Sequence, residues 1–134
     1  MEFAREWRRI VTPTLMADPA AFELLQADPS IWPNEWPTHL TEALRRVDAT
    51  HPADFDYRPR AQQISAPTLV IHGGADTIPL AASEAWTRAI PDAQLLVLPE
   101  VGHFPHVEAP SRFFDAVETF LSGEWPTDAR PLTS

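Results

Sequence analysis

Two short apolar runs in the second half of the chain decide much of its architecture. Residues 68–72 read TLVIH and residues 95–98 read LLVL, and a turn follows each run. Short runs that are this uniformly apolar are typical of strands buried on both faces. Pro79 opens a predicted helix between them, and a second predicted helix follows the later run. This alternation predicts an α/β fold with two parallel strands and two helices. The apolar stripe of the second helix comprises Phe113, Phe114, Val117, Phe120 and Leu121.

The composition excludes several kinds of chemistry. The 134 residues contain no cysteine, which removes disulfides, thiolate zinc sites and a cysteine nucleophile. The chain also has no lysine, so it cannot form a Schiff base through that side chain. A net charge of −9 argues against a nucleic-acid partner, because phosphate binding needs clustered cations. No apolar run approaches the ~20 residues of a membrane span, and the N-terminus lacks the apolar core of a secretion signal. We therefore expect a cytoplasmic protein with no membrane partner.

The first 60 residues differ in composition from the rest of the chain. They are rich in tryptophan and proline, and they predict short helices without a strand. Asp18 followed by Pro19 is typical of a helix N-cap with proline at the first helical position. The last residues, from 127 to 134, are polar and predict a loosely packed tail.

Two titratable side chains follow the two predicted strands. Asp76 comes three residues after the Gly73 that ends the first, and His103 comes five residues after Leu98. The working crevice of an open α/β sheet lies outside the carboxyl ends of its strands. Neighbouring strands lie ~4.8 Å apart, so the two loops can bring a carboxylate within hydrogen-bond reach of an imidazole. A carboxylate that orients a histidine is part of an acyl-transfer triad. Taken alone, each residue could instead be a turn or helix-capping residue.

The stretch from residue 58 to residue 126 resembles the C-terminal part of an α/β-hydrolase. The motifs that carry the resemblance are D-x-I-P and I-P-x-A around Asp76, then G-H-F-P and E-x-P around His103. The residues in these motifs resemble those of proline-iminopeptidase-like and esterase-like α/β-hydrolases. The resemblance implies a helical cap or lid segment over residues 1–57, the C-terminal part of the hydrolase core over 58–126, and a tail over 127–134.

The resemblance also implies roles for individual residues. Asp76 would be the triad acid and His103 the general base, and Gly102 would let the backbone bend so that the imidazole points into the crevice. The substrate would be a small-molecule ester or amide, and no cofactor is implied. A pocket beneath the cap would be lined by aromatic side chains, for which the candidates are Trp7, Trp32, Trp36 and Phe104. These aromatic residues could equally hold short helices together.

The nucleophile of such an enzyme has no counterpart in this sequence. The nucleophile motif G-x-S-x-G needs two glycines four residues apart, and no two of the four glycines have that spacing. The nearest relaxed version centres on Ser83, which falls inside a predicted helix and after the acid. We expect Ser83 to be a helix-surface serine and the isolated chain to be inactive.

Other interpretations stay open at this point. His103, His106 and Glu108 form a possible zinc set, but they lack the helical spacing of H-E-x-x-H and an evident fourth ligand. His72 ends the first strand and is expected to be a hydrogen-bonded packing residue. The chain could also be a non-catalytic binding module, one half of a split hydrolase that needs a complementary N-terminal half, or a homodimer. An aspartate nucleophile elsewhere would make the parent an epoxide hydrolase or dehalogenase.

Overall fold

The computed structural model describes residues 9–10, 12–21, 42–43, 45–46 and 56–133. Strands and helices alternate along the last of these ranges. The strands are β1 (Thr68–Gly73), β2 (Ala93–Leu98) and β3 (Arg130–Pro131). The helices are α1 (Arg58–Ala61), α2 (Leu80–Ala89), α3 (Pro105–Glu108) and α4 (Pro110–Leu121).

The strands β1 and β2 form the parallel pair that the sequence predicts. Thr68 lies opposite Ala93 and Gly73 lies opposite Leu98, so the two strands end at the same level. Helix α2 connects them, because a parallel pair needs a crossover that returns the chain to the same end of the sheet. The predicted α/β fold class is therefore confirmed, and the turns that carry Asp76 and His103 leave the sheet side by side.

The core lies around β2, the central strand of the order β1-β2-β3. Leu95 and Leu98 are completely enclosed, and Leu98 belongs to a cluster with Leu96, Val101 and Ala116. Burying a side chain of this size contributes roughly 1.5–3 kcal/mol. This cluster fixes β2 against α4, immediately beneath the turn that carries His103.

The packed face of α4 differs from the predicted stripe. Ala116 is its buried residue, whereas Phe114 is 50% exposed and Leu121 is 76% exposed. Phe113, Val117 and Phe120 of the predicted stripe are half-buried, so the packed face keeps these three residues and adds Ala116. Even α4, which has 12 residues and is the longest helix in the described ranges, is too short and too polar to cross a bilayer.

The predicted tail contains a third strand. Arg130 and Pro131 pair antiparallel with Leu95 and Gln94, so the prediction of a loose end over 127–134 was wrong for these residues. The pairing covers the free edge of β2 with only two residues. A strand this short carries no apolar pattern, so it could not be predicted from the sequence.

The longest described segment of the N-terminal part is residues 12–21. It contains two 3₁₀ turns, Thr12–Leu15 and Pro19–Ala21. The side chain of Asp18 accepts a hydrogen bond of 2.9 Å from the Ala20 N–H, which confirms the predicted cap. Most of the predicted cap segment over 1–57 lies outside the described residues.

Candidate active site

The ends of β1 and β2 approach each other closely because Gly73 has no side chain. A Cβ added to Gly73 would lie 2.0 Å from the Gly102 carbonyl oxygen and 2.4 Å from that of Val101. The two turns are also hydrogen-bonded to each other, since the Ala75 N–H donates to the Val101 carbonyl over 2.9 Å. Backbone contact therefore sets the separation between Asp76 and His103.

The turn that carries Asp76 is held by its own neighbours. The Asp76 N–H donates to the Gly73 carbonyl over 3.0 Å, and the Ile78 N–H donates to Asp76 Oδ1 over 2.9 Å. An aspartate that accepts from the backbone two residues later is a common turn arrangement. One carboxylate oxygen is thereby fixed, and the other is left for a partner.

That partner is His103. Its Nδ1 lies 2.9 Å from Asp76 Oδ2, as the sequence predicts for these two turns. An ionised carboxylate can only accept, so His103 Nδ1 donates to Asp76 Oδ2, and in the neutral ring Nε2 is an acceptor. The Asp76 side chain is 8% exposed and the His103 side chain is 37% exposed. The carboxylate is therefore enclosed while the far side of the imidazole remains accessible.

The environment of Asp76 favours its charged form. Partial burial alone would raise its pKa, but the hydrogen bonds from Ile78 and His103, together with the charges of His103 and His72, outweigh burial and lower the pKa. Asp76 is thus held as a carboxylate, which is the form that can steady a protonated imidazole.

The turn that carries His103 is held by residues that are remote in the sequence. The His103 N–H donates to the Leu15 carbonyl over 2.8 Å. A Cβ on Gly102 would lie 2.6 Å from the Ala17 nitrogen and 2.6 Å from the Leu15 oxygen. The predicted backbone bend at Gly102 stays a prediction, but it needs no left-handed conformation, since the positive φ among the described glycines occurs at Gly123. Gly102 also lets the N-terminal segment lie against the turn.

Sequence reasoning identified Glu108 as part of the E-x-P motif but did not predict its contacts. Its carboxylate accepts hydrogen bonds from three backbone N–H groups, those of Ala17 (2.8 Å), Gly102 (3.0 Å) and Phe104 (3.1 Å). The E-x-P motif marks this residue in the sequence, but nothing local indicates a bond to a residue 91 positions away.

Ser83 and His72 lie beneath the acid turn. The Ser83 hydroxyl lies 3.0 Å from His72 Nδ1, and His72 is buried. The prediction of a hydrogen-bonded packing role for His72 is confirmed. The helical position of Ser83 is also confirmed, but the expectation of a surface residue was wrong, because its side chain is half-buried and faces the sheet.

Of the predicted pocket residues, the structure describes Phe104. Its ring meets His103 edge-on, with ring centroids 5.2 Å apart. Trp7, Trp32 and Trp36 lie outside the described residues. The possible zinc set does not converge, since over the described ranges no group of three or more His, Asp or Glu residues is placed to hold a metal.

Comparisons with known proteins agree with the α/β fold of this chain. A model of the alpha/beta hydrolase family matches residues 2–116. The chain is 38% identical over 66 residues to a pimeloyl-[acyl-carrier protein] methyl ester esterase of Nitrosomonas europaea, covering 46% of this chain and 26% of that protein. It is 48% identical over 56 residues to a 2-hydroxymuconate semialdehyde hydrolase of Pseudomonas putida, covering 41% of this chain and 20% of that protein.

The fold has solved counterparts as well. Est816, described as an N-acyl homoserine lactone degrading enzyme, is 28% identical with a TM-score of 0.57 over 86% of this chain and 41% of its own. A thermophilic esterase is 25% identical with a TM-score of 0.54, over 91% of this chain and 48% of its own. The chain thus spans about a quarter of the length of the curated relatives and under half of the solved structures.

Proposed function

The chain belongs to the alpha/beta hydrolase family, and on that premise we propose that it supplies the acid and the general base of a hydrolase acting on ester or amide bonds. Asp76 is the acid and His103 is the base. The observation that carries the proposal is the 2.9 Å contact between His103 Nδ1 and Asp76 Oδ2 at the carboxyl end of the parallel strands.

The geometry supports a specific sequence of proton transfers. His103 Nε2 takes the proton of a nucleophile as that nucleophile attacks the carbonyl carbon, and the imidazolium later gives the proton to the departing alcohol or amine. Asp76 keeps the Nδ1 proton in place and steadies the positive charge that forms on the ring. We propose that a serine in a segment outside this sequence is the nucleophile. An aspartate there would make the parent an epoxide hydrolase or dehalogenase.

The relatives favour esters among the two substrate classes. One relative is named as a methyl ester esterase, and one solved structure is an esterase. We propose a small-molecule ester as the substrate, in a pocket bounded by Phe104 and by a helical lid over residues 1–57. Trp7, Trp32 and Trp36 are the further candidates for the apolar wall of that pocket.

A chimera tests the proposed roles of Asp76 and His103. Residues 68–121 of this chain would replace the corresponding segment of the Pseudomonas putida hydrolase, which supplies its own nucleophile. We expect the chimera to hydrolyse the substrate of that enzyme, and His103→Gln to lower kcat by about 10³-fold or more. Asp76→Asn should lower kcat by a similar factor, whereas the control Glu118→Gln, which changes an exposed residue of α4, should leave it unchanged. Turnover that survives His103→Gln would refute the proposal.

The isolated chain should behave differently from the chimera. We expect it to give no hydrolysis of p-nitrophenyl acetate beyond that of a His103→Ala control, because the sequence contains no G-x-S-x-G motif. A rate that is well above background and disappears in His103→Ala would show that this chain holds its own nucleophile.

The outer edge of β1 supports a further proposal about partners. Within residues 56–133, β1 pairs with β2 along one edge and has no strand on the other. An open strand edge is a template for pairing with another chain. We propose that a strand of a complementary N-terminal half pairs there, with a second copy of this chain as the alternative. Light scattering with hydrogen exchange tests this: a monomer whose β1 amides exchange as slowly as those of β2 would contradict it.

A further inference from the structure

Glu108 joins two parts of the molecule that are far apart in the sequence. It lies at the end of α3, and its Oε2 accepts from the N–H groups of Ala17 and Gly102 while Oε1 accepts from that of Phe104. Gly102 and Phe104 are the two residues that flank His103. The carboxylate therefore holds the backbone on both sides of the histidine and also holds the N-terminal segment.

The N-terminal segment is in turn bonded directly to the histidine. The Leu15 carbonyl accepts the His103 N–H over 2.8 Å, and Met16 between these contacts is buried. The absence of a side chain at Gly102 leaves the space that this segment occupies. Residues 15–17, the carboxylate of Glu108 and the turn at His103 thus form one connected unit.

The number of donors explains why this position needs a carboxylate. Three N–H groups converge on one side chain, and only an ionised carboxylate offers two acceptor oxygens with no donor. Hydrogen bonds to a charged acceptor are also shorter and stronger than neutral ones. An amide of the same shape would turn its NH₂ group toward at least one of the three donors.

We propose that Glu108 is a positioning residue for His103, and that it makes the direction of the imidazole toward Asp76 depend on the seating of residues 15–17. Any effect of this arrangement on catalysis rests on the proposed function, in which His103 is the base. The arrangement itself can be tested on the isolated chain without any turnover.

A capping role for α3 is the simpler alternative. The bond from the Phe104 N–H to Glu108 lies within one helical turn, and a cap needs nothing more than that bond. The bond from Ala17 is not explained by capping, because it reaches a residue 91 positions away. The two roles therefore differ in what they predict for Ala17 and for the His103 ring.

The first measurement uses the unaltered chain. In ¹⁵N-labelled protein, the amide resonances of Ala17, Gly102 and Phe104 should shift together as one carboxyl group titrates. Independent titration of the Ala17 amide would overturn the proposal. This measurement needs no variant, so a variant that fails to fold leaves the proposal testable.

The second measurement follows the proton on His103 Nδ1. In Glu108→Gln we expect the shared titration to vanish, exchange of the Ala17 amide to rise at least tenfold, and the Nδ1 proton signal to weaken while the amides of β1 and β2 keep their shifts. The matched control is Glu118→Gln, which changes an exposed glutamate on α4 and should alter none of these signals. A Glu108→Gln protein of lower stability whose Nδ1 signal is unchanged would show that Glu108 is only a cap.

A substitution at Gly102 displaces residues 15–17 without altering the carboxylate of Glu108. Gly102→Ala places a methyl group against residues 15–17, so it should weaken the Nδ1 signal in the same way as Glu108→Gln. If residues 15–17 are displaced and the Nδ1 proton signal is undiminished, the direction of the His103 ring does not depend on those residues, and the proposal is refuted. If the Nδ1 proton bonded to Asp76 is absent from the unaltered chain, the proposed function fails. If it is present but insensitive to Glu108, this inference alone fails.

Discussion

The turns that carry Asp76 and His103 are built in opposite ways. The acid turn is closed by bonds among neighbours, from Asp76 to Gly73 and from Ile78 to Asp76. The histidine turn is held by Leu15 and by Glu108, and the carboxylate of Glu108 also binds Ala17. The Asp76 carboxylate is therefore oriented by its own neighbours, although Ala75 of the same turn also donates to Val101, whereas the position of His103 depends on a segment that is far away in the sequence.

This difference between the two turns indicates how substitutions in each of them should affect stability. Changes within the acid turn or at its contact with the sheet should disturb the fold itself, because that turn continues the core. Changes around the histidine turn should displace the N-terminal segment first and cost less stability. Substitutions at Gly73 and Gly102 compare the two turns directly.

Gly73→Ala should have the largest effect. The added methyl group would lie 2.0 Å from the Gly102 carbonyl oxygen, and Gly73 cannot move away without disturbing its pairing with Leu98. We expect the free energy of unfolding to fall by about 3 kcal/mol or more. Urea unfolding measures this loss, and a variant of unchanged stability would show that the strand ends are not in contact.

Gly102→Ala should cost less, although it is the same substitution in the neighbouring turn. Its methyl group meets residues 15–17, which can be displaced from the turn without opening the sheet. We expect a loss of about 1 to 2 kcal/mol in the same urea experiment. A loss as large as that of Gly73→Ala would mean that the N-terminal segment is as essential to the fold as the sheet.

Ser83→Ala tests the support beneath the acid turn. It removes the hydrogen-bond partner of His72 Nδ1, and His72 is buried. An unpaired polar group at such a place costs about 1 kcal/mol or slightly more. Thermal unfolding of the variant, with Ser122→Ala as an exposed control, measures the difference. Equal stability of the two variants would remove any supporting role for Ser83.

The smallest effect we expect is a change in pH dependence. The pKa of Asp76 is lowered in the folded chain: burial opposes this shift, but the bonds from Ile78 and His103 outweigh it. Its stabilising contribution is therefore complete above the ordinary pKa of aspartate and is lost as the pH falls through the lowered value. The stability of the unaltered chain should thus approach that of Asp76→Asn in acid. A difference that stays constant from neutral to acid pH would contradict the shift.

The sequence was sufficient to predict what depends on short-range pattern. The apolar runs predicted β1 and β2, Pro79 predicted where the helix between them begins, and the parallel arrangement brought Asp76 to His103. What it missed depends on contacts between distant segments. Neither the two-residue strand β3 nor the bond from Ala17 to Glu108 leaves a periodic or compositional trace.

Ser83 and Gly102 show the same limit within single residues. The sequence placed Ser83 on a helix, but the direction of its side chain follows from how α2 packs on the sheet. It also marked Gly102 as special, but not the neighbouring segment that a side chain there would meet. Pattern alone identifies such residues without identifying the contacts that require them.

The most direct test of the central claim is the protonation of the His103 ring. Nitrogen NMR of the neutral imidazole distinguishes a proton on Nδ1 from one on Nε2. The account predicts the proton on Nδ1, bonded to Asp76, with Nε2 bare, and a shift toward Nε2 protonation in Asp76→Asn. A neutral His103 that carries its proton on Nε2 in the unaltered chain would contradict the account, because that ring could neither be held by Asp76 nor act as the base.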